Sequence, residues 1–134
     1  RLYERSEVCL VDERCQKTMA QWQKIMIGAC EQSGRTALPI LHAPTDLSTC
    51  LANDNSAQRF VLHHRSDSGL SAQQEKPRSV LLVIGPEGGL SEKEIAAAQA
   101  AGCSALALGP RVLRTETAPL AAISVLQARW GDFQ

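Results

Sequence analysis

Two stretches of this sequence place charged side chains directly after apolar runs. The second, "ALALGPRVLRTETAP" (105–119), sets Arg111 and Arg114 on either side of Val112 and Leu113, with Glu116 close behind. Two apolar residues inside a charged loop can form a slot for a flat ring, and arginines beside the slot can hold a phosphate or a polarised base. The alternative is a solvated loop with surface ion pairs, which is the common outcome for a cluster of charges.

The first stretch, "SVLLVIGPEGGLSEKE" (79–94), resembles a phosphate-binding loop only in its glycines. A Walker loop needs a Gly-Lys-Ser/Thr sequence, whereas Glu87 occupies the turn here, and the spacing does not match GxGxxG. Glu92 and Glu94 crowd the amino end of the following helix, where they would repel a phosphate. The loop therefore suits a neutral or cationic small molecule held by main-chain groups, or it is a plain strand-to-helix turn.

Apolar patterns predict the elements that position these loops. In the first half we expect a helix over 14–33 ended by Gly34, a short edge strand or loop entry at 37–41, a short helix in 44–52 capped by Asp or Thr, and a strand over 59–64. A polar surface loop over 65–79 follows. In the second half we expect a central buried strand over 79–85, a helix over 90–102, a strand over 105–109 and a last helix over 118–130. Ser91 and Glu94 form a predicted capping box, and Gly102 ends that helix.

The alternation of strand, Gly-Pro loop and helix in the second half predicts an α/β fold with a parallel sheet. Both loops leave the carboxyl ends of strands that we expect to be neighbours. In open parallel sheets, ligands bind at that edge.

Composition limits the classes of function. The 134 residues are enough for one domain, 44% are hydrophobic, and the formal net charge is zero, so an RNA site must be a local patch. The five cysteines form no CxxC pair and are odd in number, so we expect neither a zinc site nor a disulfide framework. We expect no signal peptide and no membrane span. Because the first residue is Arg1 rather than Met, we expect a piece of a longer protein.

Three segments together carry a family resemblance. "LLVIGPEGGLSEKEI", "LALGPRVLRTETAPLAAISVLQ" and "WQKIMIGACEQSGR", with "ERSEV" near the start, resemble the ribosomal RNA small subunit methyltransferase E family. The resemblance implies a SPOUT α/β-knot fold, in which a parallel sheet is flanked by helices and the C-terminal part forms a trefoil knot. It also implies S-adenosyl-L-methionine as the methyl donor and N3 of a uridine in 16S rRNA of the small subunit as the acceptor.

The same resemblance implies a homodimer with its active sites at the interface. The cysteine pattern favours a reduced cytosol, so we expect a cytoplasmic protein with neither a membrane nor a metal as partner. Residues 1–134 would be a SPOUT methyltransferase domain that is truncated at its amino end, because the family's Lys-Ala-Thr-Glu-Leu-Gly pattern does not precede Arg1. The family's PUA-like RNA-binding domain would be absent, and the neutral net charge agrees with that.

Site residues follow from the resemblance and from the two loops. Donor binding is assigned to Leu62, His63, Gly85, Glu87, Gly89, Leu108, Gly109, Val112, Leu113 and Ala118. Catalysis is assigned to Arg35, Arg114 and Glu116, and substrate binding to Arg5, Gln32 and Arg111. A metal site is not expected. The alternatives are a helix-dipole role for Arg35 or Glu116 and a packed histidine at position 63.

Three other functions stay open at this point. The first is a SPOUT ribose 2′-O-methyltransferase, although this chain has Arg-Thr-Glu-Thr-Ala where that group usually carries Ser-Leu-Asn-Val. The second is a non-catalytic RNA-binding or assembly protein that kept the knot. The third is a generic nucleotide-binding α/β domain, against which the absence of a phosphate-binding lysine counts.

Overall fold

The structure is a computed structural model that describes residues 13–63, 66 and 75–133. It forms two compact units, Arg1–Thr49 and Cys50–Gln134. The described elements are, in chain order, α1 (Glu13–Ser33), α2 (Leu47–Asn53), β1 (Gln58–Leu62), β2 (Val80–Val83), α3 (Glu92–Ala100), β3 (Ser104–Leu106) and α4 (Thr117–Trp130). Of the expected features, the segment 1–12, His64 and most of the polar loop lie outside the described residues.

The amino-terminal unit confirms the long first helix and its end. At the carboxyl end of α1, the Arg35 amide donates to the Cys30 carbonyl at 2.9 Å, which satisfies one of the last free carbonyls. Residues 37–41 form a loop rather than a strand, in keeping with Pro39, which cannot donate to a sheet ladder.

Asp46 caps α2, as predicted. Its carboxylate accepts from the Thr49 amide at 2.8 Å and from the hydroxyls of Ser48 and Thr49. These hydrogen bonds, the Ser48 hydroxyl first, hold the pKa of Asp46 well below its usual range, because they favour the charged carboxylate.

The sheet of the carboxyl-terminal unit is parallel, as predicted, with the strand order β2-β1-β3. Phe60 lies opposite Leu82 on one side and opposite Ser104 on the other. The expectation that residues 79–85 form the central strand is wrong for the described sheet, in which β1 is central and β2 lies at an edge. The two Gly-Pro loops therefore follow strands that are not hydrogen-bonded neighbours, because β1 runs between them.

One face of the sheet carries the core cluster. Phe60, Leu106 and Trp130 are buried together, and Leu62, Val80, Leu82 and Leu126 pack against them. Phe60 and Leu62 project to the same face because side chains alternate along a strand. Trp130 and Leu126 belong to α4, so this helix covers that face. The opposite face is buried as well, since Val61 has no exposed surface and α3 contacts β1.

The later elements match the prediction closely. The capping box of α3 is formed, with the Ser91 hydroxyl accepting from the Glu94 amide at 3.3 Å and Glu94 Oε2 accepting from the Ser91 amide at 2.7 Å. The third strand is shorter than expected and ends at Leu106, so Leu108 lies in the loop. The last helix begins at Thr117, one residue before its expected start.

A buried ion pair ties the amino end of β1 to the turn after α3. Asp54 is 3% exposed, and its carboxylate lies 3.6 Å from the Arg59 guanidinium Nε and accepts from the Ser56 amide at 2.8 Å. Arg59 Nη1 donates to the Ala101 carbonyl at 2.7 Å. The pair fixes the end of the sheet opposite to the two Gly-Pro loops.

Candidate functional site

A cavity of about 820 Å³ opens at the carboxyl ends of the three strands. Leu62 and His63, at the end of β1, lie between the two loops and contribute to its lining. Because β2 and β3 are two interstrand spacings apart, their loops start roughly 10 Å from each other. The separation by β1, which the sequence did not predict, leaves room for a ligand between the loops.

The first loop is a tight turn. The Gly89 amide donates to the Pro86 carbonyl at 2.7 Å, and Gly89 has a φ of 72°, a conformation that favours glycine. Gly85 allows a close backbone approach, because a Cβ there would lie 2.7 Å from the Leu90 amide nitrogen and 2.9 Å from the Gly89 carbonyl carbon. The loop therefore presents main-chain groups to the cavity.

The second loop turns at Gly109, whose φ is 86°, and joins α4 through hydrogen bonds of 2.9 Å from the Thr117 and Ala118 amides to the Arg114 carbonyl. Leu113 is half-buried, whereas Val112 is 72% exposed. Arg114 Nη1 lies 4.0 Å from Glu116 Oε1, and both side chains are mostly exposed, so the pair is weak. Glu116 makes no side-chain capping bond to α4.

His63 continues the sheet ladder beyond β1. Its amide donates to the Leu106 carbonyl at 3.0 Å, and its carbonyl accepts from the Ser66 amide at 3.2 Å. The imidazole is half-buried beside the cavity. The main-chain bonds hold this residue in place where the three strands end.

The structure brings most of the sequence-assigned residues together. Nine of the ten donor-binding candidates line the cavity, and Gly109 is the exception, although residues on both sides of it contribute. Arg111, Arg114 and Glu116 also line it.

The remaining candidates lie elsewhere in the chain. Arg35 and Gln32 belong to the amino-terminal unit, where Arg35 Nε donates to the Ala37 carbonyl at 2.9 Å. Arg5 lies outside the described residues.

Sequence reasoning missed one wall of the cavity. It is a stripe of α3 formed by Glu92, Ile95, Ala96 and Gln99. These positions follow the i, i+3, i+4, i+7 spacing of one helix face, so the periodicity was a usable signal. The sequence analysis predicted the helix and its caps but assigned no function to this face.

Charge is divided across the cavity. Glu87 and Glu92 lie on the side of the first loop and the start of α3, and Arg111 and Arg114 lie on the side of the second loop. The acidic side suits a cationic group and the basic side suits phosphate.

Two further searches concern only the part of the chain that the structure describes. No three His, Cys, Asp or Glu side chains there are grouped so that they could hold a metal ion. None of the described helices combines the length and the apolar character needed to cross a membrane.

Comparison with protein families identifies the chain. The model of the family described as "RNA methyltransferase domain" matches residues 2–127. The chain belongs to the RNA methyltransferase domain family. Among curated relatives, ribosomal RNA small subunit methyltransferase E of Buchnera aphidicola subsp. Acyrthosiphon pisum is 34% identical over 115 residues, which are 85% of this chain and 46% of the relative.

Another relative agrees with this family assignment. The enzyme of the same name from Bacillus subtilis is 35% identical over 133 residues, covering 91% of this chain and 51% of the relative. The resemblance drawn from the sequence motifs is thus confirmed. The chain spans about half the length of these relatives.

Solved structures of the RNA methyltransferase domain have the same fold. A ribosomal RNA small subunit methyltransferase E from Neisseria gonorrhoeae, bound to S-adenosyl methionine, aligns with a TM-score of 0.87 and 40% identity over 96% of this chain and 54% of that one. A methyltransferase from Legionella pneumophila, with its cofactor SAM bound, aligns with a TM-score of 0.86 and 42% identity over 95% and 52%. The α/β fold class predicted from the sequence is confirmed.

Proposed function

We propose that this chain is the methyltransferase domain of an enzyme that transfers a methyl group from S-adenosyl-L-methionine to N3 of a uridine in 16S rRNA. The observation that carries the proposal is the cavity between the two Gly-Pro loops, in a chain 40% identical to a protein solved with S-adenosyl methionine bound. The names of the curated relatives support the rRNA substrate.

The residues of the cavity fit this donor. Its volume of about 820 Å³ lies in the range of small-molecule sites, and glycines on both loops let main-chain groups approach a ligand. Leu62, His63, Leu108, Leu113 and Ala118 would contact the adenosine part. Gly85, Glu87 and Gly89 would border the ribose and the methionine part, with the Glu87 carboxylate favouring positive charge.

The bound donor supplies an electrophilic methyl group on a sulfonium. The chain's own residues would act on the uridine, whose N3 carries a proton that must leave. In this scheme the Glu116 carboxylate accepts the N3 proton, and the Arg114 guanidinium beside it stabilises the charge that develops on the uracil oxygens. The weak contact of 4.0 Å between the two side chains leaves both able to turn toward a substrate.

Arg35, Gln32 and Arg5 stay proposed RNA contacts, and we assign Arg111 to a phosphate. The Arg35 Nε donates to the Ala37 carbonyl at 2.9 Å, two residues further along the chain. The bond is local to the exposed loop after α1, so the guanidinium can exchange it for an RNA oxygen. Loss of turnover in Arg35→Ala with normal donor affinity is expected, and unchanged turnover would remove Arg35 from the scheme.

We further propose that residues 1–134 are one SPOUT domain with the C-terminal knot, acting as a homodimer in the cytoplasm, where its rRNA substrate is made. Exposed apolar residues on α4 support the dimer, namely Leu120 at 69%, Ile123 at 52% and Val125 at 45% exposure. Sedimentation equilibrium tests the dimer, and a monomer mass at all concentrations contradicts it.

Mass spectrometry of 16S rRNA tests the function. Small subunits lacking the modification are incubated with the full-length protein and S-adenosylmethionine, and the nucleosides are then analysed. A methyl group on uracil N3 is expected. A methyl group on a ribose would identify a 2′-O-methyltransferase, and absence of both donor binding and methylation would identify a non-catalytic RNA-binding or assembly protein.

A further inference from the structure

Val112 differs from the other apolar residues of the cavity. Leu62, Leu108 and Leu113 are half-buried, whereas Val112 is 72% exposed although it lines the same cavity. It therefore lies at the rim, with most of its side chain directed to solvent. The two apolar residues between the arginines thus point to different surroundings, and only Leu113 fits a buried slot for adenine.

Val112 also lies between two exposed cations. Arg111 precedes it, and Arg114 follows two residues later with its side chain 87% exposed. Gly109, with its positive φ, turns the chain into this loop, and α4 begins soon after it at Thr117. The loop tip thus presents one apolar side chain flanked by guanidinium groups. That chemistry matches a nucleotide, because a base has an apolar face and is bordered by phosphates.

The proposed reaction requires access to N3. N3 lies on the pairing edge of uracil, so it is covered when the uridine is paired in folded RNA. Enzymes that act on a base move it out of the stack, and apolar side chains inserted between bases help to hold it there.

We propose that Val112 is a positioning residue that contacts the target RNA at the cavity rim and keeps the uridine out of its stack. Arg111 binds an adjacent phosphate, and Arg114 keeps its proposed role at the uracil oxygens. This inference rests on the proposed function, and it replaces the sequence-based assignment of Val112 to the adenine slot. Leu113 keeps its place in that slot, beside Leu62 and Leu108.

Two RNA substrates test whether Val112 acts by keeping the uridine out of its stack. The first is the small subunit, in which the uridine is held in folded RNA. The second is a short single-stranded oligonucleotide around the uridine that mass spectrometry identifies. For Val112→Ser we expect kcat/KM on the small subunit to fall about tenfold or more, because the apolar contact is lost. On the oligonucleotide, where no stack must be opened, we expect a change within about threefold.

Three controls accompany this variant. Donor affinity of Val112→Ser, measured by calorimetry, stays within about twofold of the wild type. Val112→Ile keeps the apolar contact and retains activity on both substrates. Ile40→Ser removes an equally exposed apolar side chain, at 76% exposure, from a residue of the amino-terminal unit that does not line the cavity, and leaves both activities unchanged.

Two results overturn the inference while the proposed function stands. One is an active wild type whose Val112→Ser variant methylates the small subunit normally. The other is a Val112→Ser variant that loses donor affinity, which would return Val112 to the donor site. A wild-type protein that binds no donor and methylates no RNA overturns the proposed function, and this inference with it.

Discussion

Gly85→Ala tests the close packing of the first loop. The new Cβ would lie 2.7 Å from the Leu90 amide nitrogen, 2.9 Å from the Gly89 carbonyl carbon and 3.0 Å from Leu90 Cγ. Two of these atoms belong to the backbone, so a side-chain rotation cannot relieve the overlap. The loop must move instead.

The required movement sets the magnitude. Ordinary contact begins near 3.4 Å, so the Leu90 nitrogen must retreat by about 0.7 Å, the difference between 3.4 and 2.7 Å. Overpacking of this kind costs about 1–3 kcal/mol of the free energy of unfolding. The lower entropy of the unfolded alanine chain offsets roughly 0.4–1 kcal/mol, so we expect a net loss of about 1–2 kcal/mol. Because the same loop borders the cavity, we expect donor affinity to fall about tenfold or more, which is about 1.4 kcal/mol or more.

The assay is urea unfolding together with calorimetry of S-adenosylmethionine binding. Gly28→Ala is the matched control, since a Cβ there meets no atom within 4 Å and Gly28 lies inside α1. It is expected to raise the free energy of unfolding by roughly 0.5–1 kcal/mol and to leave donor affinity unchanged. If Gly85→Ala matches the wild type in both measurements, the packing argument for the first loop is wrong.

Substitutions at three other positions test the surrounding structure. Ser91→Ala removes one half of the capping box of α3 and is expected to lower the free energy of unfolding by about 1 kcal/mol in urea titrations; an unchanged midpoint would contradict the cap. Asp54→Ala leaves the Arg59 cation without its carboxylate partner, and we expect a loss of about 3 kcal/mol, the low end for a buried pair, because Arg59 keeps 22% of its side-chain surface exposed. Asp54→Asn, which keeps an acceptor for the Ser56 amide, should lose less. Burial raises the pKa of the Cys103 thiol, so the unfolded chain loses that proton first as the pH rises. The wild type should therefore lose stability relative to Cys103→Ala above about pH 8.5, the usual thiol pKa, and parallel stability curves would refute this.

The sequence was sufficient for features set by local patterns. The capping box at Ser91 and Glu94, the Asp46 cap and the end of α1 depend on residues within one helical turn, and the structure contains all three. The parallel sheet also followed from sequence, because strands that alternate with helices must cross over to return in the same direction.

The order of the strands could not be predicted from local sequence patterns. It depends on which strand pairs with which, and the continuous apolar run of residues 80–84 favours a buried strand without fixing its neighbours. In the described sheet, the shorter apolar run of β1 is central. The position of β1 explains both the space between the loops and the place of Leu62 and His63 in the cavity.

The candidate site was likewise predicted in part. The glycines and arginines of the two loops carried a recognisable pattern, but the lining face of α3 did not, since Ile95 and Ala96 are ordinary helix residues. The difference in exposure between Val112 and Leu113 could not be predicted either, because adjacent loop residues of the same chemical type carry no sequence signal of their exposure. Such distinctions arise from the path of the backbone.

A crystal structure of the protein with S-adenosylmethionine would show whether the donor binds between the two Gly-Pro loops. We expect the donor between residues 85–90 and 108–118, resting against Leu62 and His63, with main-chain groups of both loops within hydrogen-bonding distance. A donor bound elsewhere on the chain, or absent from the crystal at saturating concentration, would contradict it.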